Sequence, residues 1–142
     1  MQLAQLATAA AHPGDIFGAI AIALVFITIM SLLRVDARRR FNAVFVAGAG
    51  AAYLGSGLGP WELLLPIVVT ALAYRGLSSF RAIGIAWLLH ALWDWLHHML
   101  GAPILPFAPS SSFGCAVCDA ILAAWFLCDA PAVLRSRPVA ST

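Results

Sequence analysis

The stretch His90-Ala-Leu-Trp93-Asp94-Trp-Leu-His97-His98 lies inside the apolar run Phe80–Leu100 and carries three of the chain's four histidines. At about 100° per residue, His90, Asp94, His97 and His98 fall within roughly one third of a helix circumference. Imidazoles and carboxylates are costly inside hydrocarbon, so such a stripe on an apolar helix calls for partners or a task.

The surrounding composition sets the context. The 142 residues are 63% hydrophobic and 10% charged, with a mean hydropathy of +0.94, whereas soluble domains carry about 25% charged residues. Apolar stretches near residues 16–33, 41–58, 61–77, 80–100 and 113–134 reach or approach the about 17–25 residues needed to cross a hydrocarbon core. Backbone polar groups in lipid must be satisfied internally, so each stretch is expected to be a helix. The resulting expectation is an all-α polytopic membrane protein, with a single membrane domain over residues 1–142 forming a compact bundle of five transmembrane helices. All eight basic residues are arginines. Arg34, Arg38, Arg39 and Arg40 follow the first stretch, Arg75 and Arg81 flank the turn between the third and fourth, and Arg135 and Arg137 follow the fifth. They share one side, which the positive-inside rule makes cytoplasmic, with the N-terminus outside and the C-terminus inside. The formal charge of +2 then reflects topology, and no nucleic-acid partner is expected.

Smaller features follow the same frame. The first dozen residues lack the basic and continuous apolar regions of a signal peptide and suggest an interfacial helix inserting Leu3 and Leu6. Asp15 is the expected cap of the first helix. Gly48, Gly50, Gly55 and Gly57 among alanines suggest close helix packing, although Tyr53 and Ser56 could line a cavity instead. Glu62, after Pro60-Trp61, either complements a helix dipole or takes a functional role. Pro66 frees the Glu62 carbonyl and can bend the helix. Trp93 and Trp95 suit an interface. The uncharged loop 101–112, with Pro103, Pro106 and Pro109, is a stiff connector or a cover, and any of Ser110–Ser112 can cap the fifth helix. Asp119 sits at a depth similar to Asp94. Asp129 is expected to pair with Arg75, Arg81 or Arg135. His12, before a proline, is read as solvated.

Imidazole nitrogen and carboxylate oxygen are ligands for zinc and iron. His90, Asp94, His97 and His98 are therefore the candidate ligands of a divalent metal, zinc in preference to iron. Asp94, Glu62 and Asp119 are the candidate catalytic carboxylates. A metal there would polarise a carbonyl or acidify a bound water, which points to a metal-dependent hydrolase acting on a lipid or another apolar molecule. A hydrogen-bonded cluster that merely joins helices, binds a ligand or handles ions or protons is the competing reading. Asp94-Trp-Leu-His97-His98 is similar to a histidine box of membrane desaturases, but those di-iron enzymes require more histidines than the four present, so the likeness is set aside. Cys115-Ala-Val-Cys118 at a helix start permits a third reading, a thiol oxidoreductase. Cys128 lies too deep to supply a second cysteine pair. Transporters are commonly built from repeats, and none is evident here.

Several runs share one further likeness. Asn42-Ala-Val-Phe-Val-Ala-Gly-Ala-Gly-Ala-Ala-Tyr53-Leu54, Gly57-Leu-Gly-Pro-Trp61-Glu62, Ala73-Tyr-Arg-Gly-Leu77, Trp87-Leu-Leu-His90, Trp93-Asp94, His97-His98 and Ser111-Ser-Phe-Gly-Cys115 resemble an uncharacterised family of small bacterial integral membrane proteins. The resemblance spans most of residues 40–131. It implies a multi-pass protein of the bacterial inner membrane, in contact with lipid, and assigns no catalytic role, substrate or cofactor. An apolar small-molecule substrate is the expected partner, and homo-oligomerisation is left open.

Overall fold

A computed structural model describes residues 12–55 and 59–133. Within them the chain forms α1 (Pro13–Ser31), α2 (Val35–Gly50), a 3-10 turn (Gly59–Leu63), α3 (Leu64–Gly76), α4 (Phe80–Met99) and α5 (Ser111–Leu127). The described residues are thus all-α with five helices and no strand, apart from one isolated bridge between Leu105 and Ala108. The expected N-terminal interfacial helix, Ser56, Gly57, Arg135 and Arg137 lie outside the described residues.

Local chemistry sets the helix ends, in several places differently from expectation. The cap of α1 is His12 rather than Asp15. The His12 side chain accepts from the Gly14 amide, and the Asp15 carboxylate accepts from the His12 amide. This reciprocal arrangement satisfies two donors that the helix cannot, with Pro13 in the first turn where its missing N–H costs nothing. Helix α2 begins at Val35, before the arginine run, and ends at Gly50. Arg40 is exposed to water and Arg38 is held over aromatic rings, so the arginine charges do not delay the start. The glycine-rich segment beyond has poor helix propensity, so Tyr53 falls in a turn. Pro66 is the third residue of α3, a position without an intrahelical donor to lose. Ser110 does not cap α5 through its side chain.

Two helices close with the same motif. After α4, Gly101 at φ 66 sends its N–H to the His98 carbonyl, and Ala102 sends its N–H to the His97 carbonyl. After α5, Asp129 at φ 60 donates to Phe126 and Ala130 to Trp125. Both are Schellman caps, which use a left-handed residue to satisfy the last carbonyls. Asp129 is therefore a helix terminator. It is exposed and forms none of the expected ion pairs with Arg75 or Arg81 among the described residues.

Helix α4 is central, packed against α3, α5 and α2, while α1 packs on α5. The α4–α5 contact is close because Gly84 has no side chain: a Cβ there would lie 2.9 Å from the Leu127 amide nitrogen and 3.1 Å from the Ala123 carbonyl oxygen. Gly50 packs comparably against Val69, whereas nothing approaches Gly48. One end of the bundle is stitched by arginines. Arg39 donates to the Leu77 carbonyl and pairs with Asp36. The buried Arg38 lies over the rings of Phe80 and Trp125, a cation–π contact joining α2 to α4 and α5. At the same end, the Val133 amide reaches the Ser31 hydroxyl at the close of α1.

The outside of the bundle is apolar. On α1, Phe17, Ile22, Val25 and Ile29 are exposed, as are Val44, Ile67 and Leu92 on the other helices. By length and composition α1 alone passes as a membrane span, and α5 is a shorter apolar helix. Helices α2, α3 and α5 are too short for the same test, and α4 is long enough but not apolar enough.

Gly84→Ala should push backbone against backbone and destabilise the bundle by about 1–3 kcal/mol, seen as a lower melting temperature in detergent. Gly48→Ala should melt at or slightly above wild type, because open space receives the methyl group and alanine favours the helix.

Candidate metal centre

The polar stripe of α4 faces the interior, as burial of His90, Asp94, His97 and His98 requires. At its centre the imidazole of His90 is engaged on both edges. Nε2 lies 2.8 Å from the carbonyl oxygen of Ala49 on α2. That oxygen can only accept, so Nε2 carries a proton. Nδ1 then faces two carboxylates, Asp119 Oδ2 on α5 at 2.7 Å and Asp94 Oδ2 one turn along α4 at 3.2 Å. A neutral ring would point a lone pair at two anions. The group is balanced by a proton, held on the ring as an imidazolium or on one of the carboxylates, or by a cation held jointly with the carboxylates.

The ligand atoms of His90, Asp94 and Asp119 lie within 4.8 Å of one another, and this group could hold a metal ion. Its chemistry fits. One imidazole nitrogen and two carboxylate oxygens form a donor set suited to a divalent cation. The Nε2–H···O=C contact is the orienting bond that metal-ligating histidines usually make. All three side chains are buried, with Asp94 fully so.

The other expected site residues are placed differently. His97 is fully buried, and its Nδ1 donates at 3.2 Å to the Ala102 carbonyl that the α4 cap presents. Its ring stacks on Tyr53 with centroids 4.0 Å apart, and Nε2 has no partner. His98 packs against Trp95 and Phe113 and joins no metal-ligand group among the described residues. Glu62 is buried in the 3-10 turn, where its carboxylate accepts from the Gly55 amide. It closes the turn after α2, and it acts electrostatically on His97.

Tyr53, Ser112 and two backbone carbonyls complete the surroundings. The Tyr53 hydroxyl donates to Ser112 Oγ at 2.9 Å, and Ser112 Oγ also accepts from the Ile104 amide at 2.9 Å. Ser111 Oγ accepts from the Leu105 amide. The serines therefore hold the proline-rich loop across this end of the bundle. Tyr53 was legible only as a cavity-lining possibility, and nothing about the serines distinguished loop anchors from caps. The carbonyls of Ala49 and Ala102 carry no sequence signal at all.

An apolar pocket of about 240 Å³ reaches the centre between α1, α2, α4 and α5. Ile22, Phe26 and Phe45 form its outer wall, and His90, Asp119, Cys115 and Cys118 its inner one. Both cysteines are free thiols, as is Cys128.

Ser112→Ala should leave the Ile104 amide and Tyr53 hydroxyl without their acceptor. A loss of about 1–3 kcal/mol and faster proteolysis within residues 101–110 are expected, measured by melting and limited digestion.

Neither a curated protein nor a solved structure gives a significant match to this chain. Residues 14–132, which include every helix but the first residue of α1 and the whole metal-ligand group, match the family of unknown function DUF6010. The likeness to a family without assigned activity thus holds, and the chain belongs to it.

Proposed function

We propose that this protein is a membrane-embedded metalloenzyme that hydrolyses a lipid or similarly apolar substrate at the His90–Asp94–Asp119 centre. The observation that carries the reading is the junction of two unlike environments. Two members of a buried donor set for a divalent cation, His90 and Asp119, lie with Cys115 and Cys118 on the inner wall of a pocket otherwise lined by aliphatic and aromatic side chains. An apolar molecule gains by entering such a pocket, whereas a strongly hydrated one would lose its water shell without replacement.

The chemistry required is modest. The bound cation would withdraw charge from a carbonyl or phosphoryl oxygen and acidify a water, zinc being preferred to iron because hydrolysis needs no redox change. The water oxygen would form a bond to the electrophilic centre as the bond to the leaving group breaks, one water proton passing through a carboxylate to the leaving group and the other staying with the acid product. Asp119 lines the pocket and is the carboxylate of this group positioned for that transfer. Asp94, fully buried beside it, would hold the cation together with His90. The Ala49 carbonyl keeps the His90 ring in the tautomer that leaves Nδ1 free for the cation.

The membrane setting rests on the apolar exterior, on α1 and on the arginines that the described residues gather at one end. Under this reading all five helices cross the bacterial inner membrane. The C-terminus is cytoplasmic, the N-terminus lies outside, and the His97 end faces outward. Reporter fusions check this: a C-terminal fluorescent protein should glow, a C-terminal alkaline phosphatase should be inactive, and the reverse pattern would refute the orientation.

Protein purified without a chelating tag should hold a divalent metal in stoichiometric amount by plasma mass spectrometry, and Asp119→Ala should lose it. In vesicles of bacterial lipid extract, wild type should release fatty acid or a headgroup fragment in a chelator-sensitive manner, and Asp94→Ala should not. Wild type that stays metal-free after supplementation would refute the enzyme reading. It would favour the second one, a proton-handling cluster in which His90 is an imidazolium. The 2.7 Å contact between Nδ1 and Asp119, a normal length for a charge-assisted hydrogen bond, is what supports that alternative.

A further inference from the structure

Asp94 uses only half of its carboxylate in the group described above. Oδ2 faces His90, while Oδ1 is buried without a hydrogen-bond partner. His97, one turn further along the same face of α4, is fully buried and repeats the logic of His90 in mirror form. Each ring spends one nitrogen on a backbone carbonyl: Nε2 of His90 on Ala49, Nδ1 of His97 on Ala102. Each thereby keeps the other nitrogen as a lone-pair donor. For His97 that nitrogen, Nε2, is also buried and unpartnered. Asp94 Oδ1 and His97 Nε2 are thus buried atoms without a hydrogen-bond partner on residues one helical turn apart; such atoms are costly to bury, and a cation between them would relieve both.

We propose that Asp94 bridges two divalent cations, the second held by Asp94 Oδ1 and His97 Nε2. The proposal rests on the metalloenzyme reading of the His90 group and extends it to a dinuclear centre. Bridging by one carboxylate is how paired cations are kept close enough to act on the same reacting oxygens. Water or substrate oxygens complete the second ion's shell, as two protein donors alone do not fill it. The Ala102 carbonyl that orients His97 belongs to the loop anchored by Ser111 and Ser112. The second ion therefore depends on that loop, and the first does not.

The test uses Mn²⁺ as probe. Purified full-length protein in detergent is stripped of metal, loaded with Mn²⁺, and followed by metal analysis and electron paramagnetic resonance. Wild type should bind two ions per chain and give the signal of a spin-coupled pair. His97→Phe keeps the ring stacked on Tyr53 and removes the nitrogens; it should bind one ion and give the six-line signal of isolated Mn²⁺. One ion in wild type, kept in His97→Phe, overturns the dinuclear proposal and leaves the mononuclear enzyme standing. Two ions retained in the variant, or both lost together from a variant with unchanged helicity by circular dichroism, also overturn it. No ion in wild type overturns both readings. Should the variant fail to fold, the coupled or uncoupled signal of wild type still decides.

Discussion

The imidazole of His90 is the point on which the bundle turns. Its two nitrogens reach three helices at once: the Ala49 carbonyl of α2, Asp94 of its own helix and Asp119 of α5. Burying one histidine and two carboxylates costs several kcal/mol per unpaired charge. The arrangement is tolerable only while every partner is in place, so moving any one of the three helices strands a charge. This obliges α4 to run through the middle of the molecule. Its polar third must be enclosed, and α2, α3 and α5 enclose it.

The two ends of the bundle are closed by different means. At the arginine end, α2 clasps α4 and α5 through Arg38 between Phe80 and Trp125, and the turn after α3 through Arg39. At the other end, neutral hydrogen bonds predominate. The Schellman cap of α4 aims the Ala102 carbonyl at His97, Ser111 and Ser112 tie the following loop to α5, and Tyr53 spans from His97 to Ser112. A helix terminator, a loop anchor and a buried aromatic ring thus act on the same few side chains, so the conformation of the loop bears directly on the centre beneath it.

Why some of the centre was legible and some was not can be argued residue by residue. His90, Asp94 and Asp119 stood out because ionisable groups in apolar segments have few innocuous explanations, and antiparallel neighbours joined by a short loop bring similar depths together. His97 and His98 share the stripe but not the group. Helical spacing fixes where a side chain leaves the axis, while the rotamer and its partner decide where it ends. For His97 that partner is the Ala102 carbonyl, and for His98 it is Trp95 and Phe113. Glu62 was named for its charge, and its carboxylate closes a turn on Gly55. Asp129 was assigned an arginine partner, yet its backbone at φ 60 serves as a helix cap that no charge pattern announces.

Composition and periodicity alone determined that the chain is helical, how many helices its described residues form and which face of α4 is polar. These are local properties, set by hydrogen bonding within a helix and by the cost of wetting or burying each side chain. The tertiary structure decided what the polar face meets. Only packing brings the Ala49 carbonyl to one edge of His90 and Asp119 to the other, because backbone carbonyls have no residue-specific signature and contacts between helices depend on rotation about their axes. The unpartnered oxygen of Asp94 and nitrogen of His97 likewise exist only as consequences of that packing. A sequence lists the polar groups, and three-dimensional enclosure determines which of them go unsatisfied.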